Sequence, residues 1–454
     1  MKAMNIKKNN MSRWFVIGSL AVASLAVVAC EDEPDAYEVA GGSPEVVYIR
    51  KTDPAIADSL LLGASLGERI CLVGNNLRSI TEMYFNDQKA VLNSSLMTDN
   101  TVIVSVPKGV PANPTDLIYM INSAGDTTTY PFLAVVPAPV LASMKCEMVQ
   151  PGDVATINGD YFLNYDNSPM VITMPDGQEV REFVSLSQQS VSFVVPEGST
   201  KAGPVTLETK YGKTTSVAFN FNDNRGLITD FDGTTQLGDG TTGVRPQGWN
   251  ISAQYLTENG IPGQGYYAQV GPSDLGADAS WNEAYKLPFW CGNWNGDPMG
   301  ITSGAGIPIC NLIDVTNFEK MALKFEFRVP KSNPWQAGAM QVLFVSAERC
   351  ANDSWQNNTY IHTSANDKDG LDLCRALWRP WEATGSYDTN DEWVTVTMPI
   401  SDFIYNYDGT AGKVALSSKE DFASFIVWIN AGGVEGTACQ PIIQYDNFRL
   451  VPIK

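Results

Sequence analysis

Histidine is almost missing from this chain: His362 is the only one in 454 residues. Eight cysteines are present, and no two stand at C-x-x-C spacing. A zinc centre built from His and Cys ligands is therefore not expected. Nor is there a G-x-S-x-G elbow, an H-E-x-x-H helix, a phosphate-binding P-loop or an E-x-D-x-x-E carboxylate pattern. Those are the local signatures by which hydrolases and nucleotide enzymes are usually read. Carboxylate pairs alone do not argue for a glycosidase, because 50 acidic residues guarantee some by chance. Cations are scarce as well. Thirty Lys and Arg face 50 Asp and Glu, giving a formal charge of -20. Nucleic acid and anionic lipid surfaces repel such a chain and are not expected partners. Charged residues make up only 18% of the total, so the acidity is not that of a disordered tail. Long runs of helical period are absent too. Tryptophan is absent from residues 31–248, yet ten of the eleven lie between Trp249 and Trp428.

With 44% hydrophobic residues the chain can bury real cores, and its length allows roughly three domains of about 150 residues each. Its first 29 residues read as a secretory signal. Lys2, Lys7, Lys8 and Arg13 precede an apolar run from Trp14 to Ala29. That run is short and Ala/Ser-rich, which disfavours a stable membrane span. Val27-Val28-Ala29-Cys30 resembles the bacterial lipobox, whose cysteine is acylated, so Cys30 is the expected lipidation site and membrane anchor. The acidic stretch Glu31-Asp32-Glu33-Pro34-Asp35 resembles signals that send lipoproteins to the outer face of the outer membrane; an acidic solvated tether fits the same residues. Residues 30–45 are assigned to that tether. The seven later cysteines, an odd number spread over several segments, are expected to be mostly buried free thiols. A bridge among the last five is permitted by export.

Two repeats follow. Gly67-Glu-Arg-Ile-Cys-Leu-Val-Gly74-Asn-Asn-Leu77 matches Gly152-Asp-Val-Ala-Thr-Ile-Asn-Gly159-Asp-Tyr-Phe162 with an offset of 85. Val102–Pro107 matches Val191–Pro196 at an offset of 89, and Gly125 matches Gly212 at 87. One register held over three blocks predicts tandem modules over 46–136 and 137–223. Their short alternating strands and glycine turns predict small β-sandwiches. The pattern resembles IPT/TIG immunoglobulin-like modules, with Ile70, Leu72 and Leu77 at its apolar positions. Ala155 and Ile157 fit it less well, and Phe162 fits. Such modules usually serve as spacers.

Residues 224–454 differ in composition and form a third, larger domain. Met321–Pro330 alternates, with Leu323, Phe325, Phe327 and Val329 on one face and Ala322, Lys324, Glu326 and Arg328 on the other. Further strands are expected over 341–345, 393–400 and 424–429, joined by Gly/Asn/Asp loops. The expected fold class is thus all-β: two tandem Ig-like sandwiches followed by a jelly-roll β-sandwich.

Sugars have apolar C–H faces and hydroxyl rims, so a binding site for them combines flat rings with amides, carboxylates or guanidinium groups. Three stretches offer that combination: Trp290, Asn293 and Trp294; Trp335 with Gln336; and Arg379 with Trp381. These seven are the candidate glycan-binding residues. Trp393 and Trp428 lie within strands and are assigned to the core, Trp249 to packing, and Trp378 to an inward stack. Tryptophan always has a substantial chance of being core. Asp232 and the Asp446-Asn447 pair resemble a structural calcium site of carbohydrate-binding jelly rolls, although strand-end hydrogen bonding explains the same residues. No cofactor is otherwise expected.

Taken whole, and most of all over Arg379–Gly385 and Asp391–Phe403, the mature chain resembles the surface glycan-binding lipoproteins of starch-utilisation-like systems that carry a C-terminal xyloglucan-binding-type domain. The resemblance implies a non-catalytic protein that captures a polysaccharide, of β-glucan or xyloglucan type, and hands it to an outer-membrane transporter complex. A surface glycoside hydrolase and a protein-binding adhesin remain as alternatives.

Overall fold

The structure, a computed structural model, describes residues 42–56, 58–232, 253–280, 282–289, 308–346 and 373–453. Strands dominate it throughout, and no described helix is long and apolar enough to cross a membrane. The chain divides into two compact units, with the break between Ala134 and Val135.

The first unit holds one sandwich. Strands Glu45–Lys51, Arg69–Asn75 and Thr101–Ser105 form one sheet, in that order. Gln88–Lys89, Ile80–Phe85, Leu117–Asn122 and Thr127–Pro131 form the other. The second repeat has the same strand order. Val140–Met144, Val154–Asp160 and Ser190–Val194 make its first sheet, with the short Ser185–Leu186 added at the edge. Glu179–Val180, Val171–Thr173, Thr206–Thr209 and Gly212–Thr215 make its second. Each repeat has its own apolar core.

The repeated motif has a physical cause. Gly67 and Gly152 turn the chain at φ values of 80° and 89°, which favour glycine. Gly74 and Gly159 lie under the neighbouring strand: a Cβ there would come within 1.9 Å of the Glu45 carbonyl oxygen and 1.8 Å of the Val140 one. The apolar positions between them are equivalent in burial. Ile70, Leu72 and Leu77 are buried, and so are Ala155, Ile157 and Phe162, including the two that fitted the pattern less well.

The second repeat shares its compact unit with the C-terminal domain, which is a sandwich of two antiparallel sheets. The larger runs Gln254–Leu256, Tyr267–Val270, Ile443–Pro452, Met321–Arg328, Val394–Pro399, with Leu227–Thr229 also pairing on Ile443–Pro452. The smaller runs Lys286–Phe289, Ser424–Asn430, Ala339–Val345, Ala376–Trp378. Leu323, Phe325 and Phe327 face the core, as alternation predicts, and Phe325 stacks on Phe448 at 4.8 Å.

Alternation does not predict what covers the opposite face. Lys324 and Glu326 are 2% and 0% exposed, because the second repeat lies on them. Glu147 of that repeat accepts from Lys324 Nζ at 2.6 Å and from Arg449 at 2.9 Å. Arg449 also donates to Glu326 at 2.7 Å, and Lys324 to the Ala218 carbonyl at 2.9 Å. Two cations and two carboxylates thus balance in a closed network with further hydrogen bonds, the condition under which buried charge is tolerated. The Thr395 amide donates to the Lys145 carbonyl at 2.7 Å, and Lys145 pairs with Glu392. Residues 137–223 and the domain that follows are therefore joined along a seam by a buried charge network and by a small apolar cluster of Cys146, Met148 and Ile261, while each keeps its own larger apolar core.

Candidate functional site

The smaller sheet of the C-terminal domain has two unlike faces. In an antiparallel sheet, residues directly opposite share a face. Val427 and Val342 pair across it, as do Ile429 and Met340, and these side chains enter the apolar core. On the other face Lys286, Trp428, Gln341 and Leu377 form one row in register. The Lys286 ammonium sits 5.8 Å from the Trp428 ring centroid, a cation–π distance. Arg375 donates to the Gln341 side-chain oxygen at 2.9 Å. Gln341 Nε2 donates to the carbonyls of Tyr407 and Asn430 at 3.0 and 2.8 Å. Trp428 Nε1 donates to the Asn282 carbonyl at 3.0 Å.

Ammonium, indole, amide and guanidinium on one sheet face are the groups that suit a sugar, but every one of these side chains is buried. Trp428, assigned to the core, is fully buried, although it lies on the polar side of the sheet. Alternation from Ser424 to Asn430 carries a signal for this polar face, because Ser424, Trp428 and Asn430 share it. The contributions of Lys286, Gln341 and Arg375 needed the register between strands.

The three candidate stretches fare differently. Trp290, Asn293 and Trp294 lie outside the described residues; in sequence they follow the edge strand Lys286–Phe289 of this same sheet. Trp335 is a correction. It is fully buried, its Nε1 donates to the Ala337 carbonyl at 2.6 Å, and its ring packs edge-on against Trp378 at 5.7 Å. Paired backbone hydrogen bonds of 2.9 Å between Trp335 and Tyr387 draw the loop inward. Trp381 is a second correction: it is 4% exposed, and its Nε1 donates to the Gly338 carbonyl at 2.8 Å. Both indoles satisfy their single donor inside the protein, so neither ring is a free platform. Gln336 is partly exposed beside them and lines a polar groove of about 590 Å³ with Asn333, Gln440 and Asp274. Arg379 is also partly exposed, but its guanidinium is occupied by Glu382 and the Gly432 carbonyl.

Trp378 and Trp393 make packing contacts. Trp378 is partly buried and stacks inward on Phe327 at 5.2 Å. Trp393, expected in the core, is only partly buried. It sits on the seam, against Cys146, Met148 and Ile261, and donates to the Asn259 carbonyl at 3.0 Å. Trp249 and His362 lie outside the described residues.

The chemistry of reactive groups is muted. Cys71, Cys146 and Cys439 are free, and burial pushes their thiols up, away from the reactive thiolate. Asp232 accepts the Tyr266 amide at 2.6 Å, and Asp446, within the strand Ile443–Pro452, accepts the Asn447 amide at 2.8 Å. Among the described residues no three His, Cys, Asp or Glu side chains form a group that could hold a metal.

Comparison with known proteins matches these features. Residues 221–452 match the family described as surface glycan-binding protein B xyloglucan binding domain. The solved structure of surface glycan-binding protein PbSGBP-B from Prevotella bryantii is 35% identical, with a TM-score of 0.79, over 91% of this chain and all of that one. An IPT/TIG domain-containing protein of Bacteroides ovatus is 26% identical over 264 residues, 55% of this chain and 52% of that protein. The chain thus spans about half the length of that curated relative.

Proposed function

The chain belongs to the surface glycan-binding protein B family, and from that membership we propose that it captures a β-glucan-type polysaccharide, xyloglucan foremost, at the cell surface without cleaving it. The observation that carries this is the coincidence of the family match with the tryptophan-rich part of the chain. Residues 221–452 hold every tryptophan outside the signal. The ligand class follows the family's description as a xyloglucan binding domain. The contacting rings are assigned to Trp290 and Trp294 with Asn293 between them, and Gln336 supplies a polar contact at the margin. Trp335 and Trp381 support the site from within. The binding requires no cofactor.

Lipidation at Cys30 tethers the protein to the outer membrane facing outward, and a transporter complex receives the captured chain. Both follow from the signal-like start of the sequence and from the role that family resemblance implies. Replacing Cys30 with Ser should release the protein from the membrane fraction, and protease added to intact cells should digest the wild type.

A glycan array probed with the chain lacking its signal, followed by incubation and product analysis, tests the whole. Retention of xyloglucan or another β-glucan with no shortened products is the expected outcome. Released oligosaccharides would establish an enzyme, and indifference to every glycan would favour an adhesin.

A further inference from the structure

A second cleft lies where the second repeat meets the C-terminal domain. Its volume is about 460 Å³, within the roughly 300–1,000 Å³ typical of small-ligand sites. One side is the open edge of the C-terminal sandwich. The edge strand Ala376–Trp378 of the smaller sheet and the edge strand Val394–Pro399 of the larger both border it. The rings of Trp378 and Tyr387, both partly exposed, stand there 5.6 Å apart. The other side is the second repeat, where Ser143 and Asn158 are cross-strand partners and Lys145 follows.

The lining is amphipathic and close to neutral. Two aromatic rings are accompanied by the Asn158 amide, the Thr397 hydroxyl, one cation (Lys145) and one carboxylate (Asp402). The strand edge adds backbone groups. The Thr395 N–H points out of its sheet to the Lys145 carbonyl, and two residues on, Thr397 has the same orientation, so its amide and carbonyl face the cleft. Rings for C–H faces, and amide, hydroxyl and backbone groups for hydroxyls, suit an uncharged sugar chain. The cleft is also preorganised: the buried network of Glu147, Lys324, Glu326 and Arg449 and the Lys145–Glu392 pair fix its two walls to each other.

We propose that this cleft is a second glycan-binding site, in which the second repeat and the C-terminal domain jointly hold a short stretch of the captured chain. The repeat is then part of the binding surface as well as a spacer. The proposal rests on the glycan-binding function above.

The test is calorimetric titration of the chain lacking its signal with xyloglucan oligosaccharides, for wild type, Thr397→Arg and Asn158→Ala. Both substituted residues are exposed on strands, so the melting temperature should not move. Thr397→Arg fills the cleft and Asn158→Ala removes an amide from its wall. The expected result is a fall from two oligosaccharides per chain to one with Thr397→Arg, and at least fivefold weaker binding at one site with Asn158→Ala. If wild type binds and both variants give the same isotherm, the cleft is not a glycan site and the main function stands. If wild type binds none of a panel of β-glucan oligosaccharides, the function itself fails and the cleft falls with it.

Discussion

Arg449, in the last strand of the chain, donates to Glu147 of the second repeat at 2.9 Å, across 302 positions of sequence, and both side chains are buried. The contact decides how the molecule divides. A repeat that sequence sets apart as a module is tied into the compact unit of the domain that follows it.

Breaking the network on one side should be costly. Glu147→Leu leaves Lys324 and Arg449 against Glu326 alone, and should lower the stability of a 135–454 fragment by about 3–5 kcal/mol. The double variant Glu147→Leu/Arg449→Met restores one cation to one carboxylate and should lose less than the sum of the single changes. Urea unfolding of the four proteins gives the cycle. Additive losses would mean that the four charges do not act as a unit. A fragment beginning at residue 224 exposes the same charges and should be less stable than one beginning at 135.

Trp335→Ala and Trp381→Ala should each cost roughly 3–5 kcal/mol of folding stability, the range for deleting a large core ring. Gln336→Ala, beside them on the surface, should stay within about 0.5 kcal/mol. Thermal and denaturant unfolding separate the two classes. Full stability combined with lost glycan binding in the Trp335 variant would show that its ring reaches ligand.

Trp290→Ala and Trp294→Ala should leave folding unchanged and weaken glycan binding by about 1–3 kcal/mol each, by analogy with the loss of a stacked aromatic ring from a nucleic-acid platform. Calorimetry with xyloglucan oligosaccharides measures it. Unchanged affinity in both variants would move the principal site elsewhere in the domain.

Asp446 gives a pH prediction. Burial, and then the charge of Glu326, hold its carboxyl well above the ordinary carboxylate range. The folded protein thus keeps the proton more tightly than the unfolded chain does. The stability this contributes is present below the ordinary value, about 3.9, and is lost as pH rises toward the raised one. Asp446→Asn should flatten that fall and be more stable than wild type at pH 7, as melting curves between pH 4 and 8 would record. The opposite result, with wild type stabilised by added calcium and the variant not, would give Asp446 to a metal.

Much was legible in the sequence for local reasons. Gly74 and Gly159 had to be glycine because a neighbouring carbonyl leaves no room for a side chain, and that necessity repeats in register. Leu323, Phe325 and Phe327 announced a core face because a strand alternates with a period of two. The signal-like start and the uneven distribution of tryptophan needed no coordinates at all. Tertiary structure alone decided what lies against each face. Alternation puts Lys324 and Glu326 on the face opposite the core but does not say what covers it; they are buried because their partners, Glu147 and Arg449, are remote in sequence. Trp335 and Trp381 looked like platforms because an indole in a polar loop has the same composition whether its ring faces water or turns inward. The carbonyls of Ala337 and Gly338, which accept their N–H groups, become available only when the loops fold over the end of the sandwich. Period and composition fix which residues share a face, and only packing determines what that face meets.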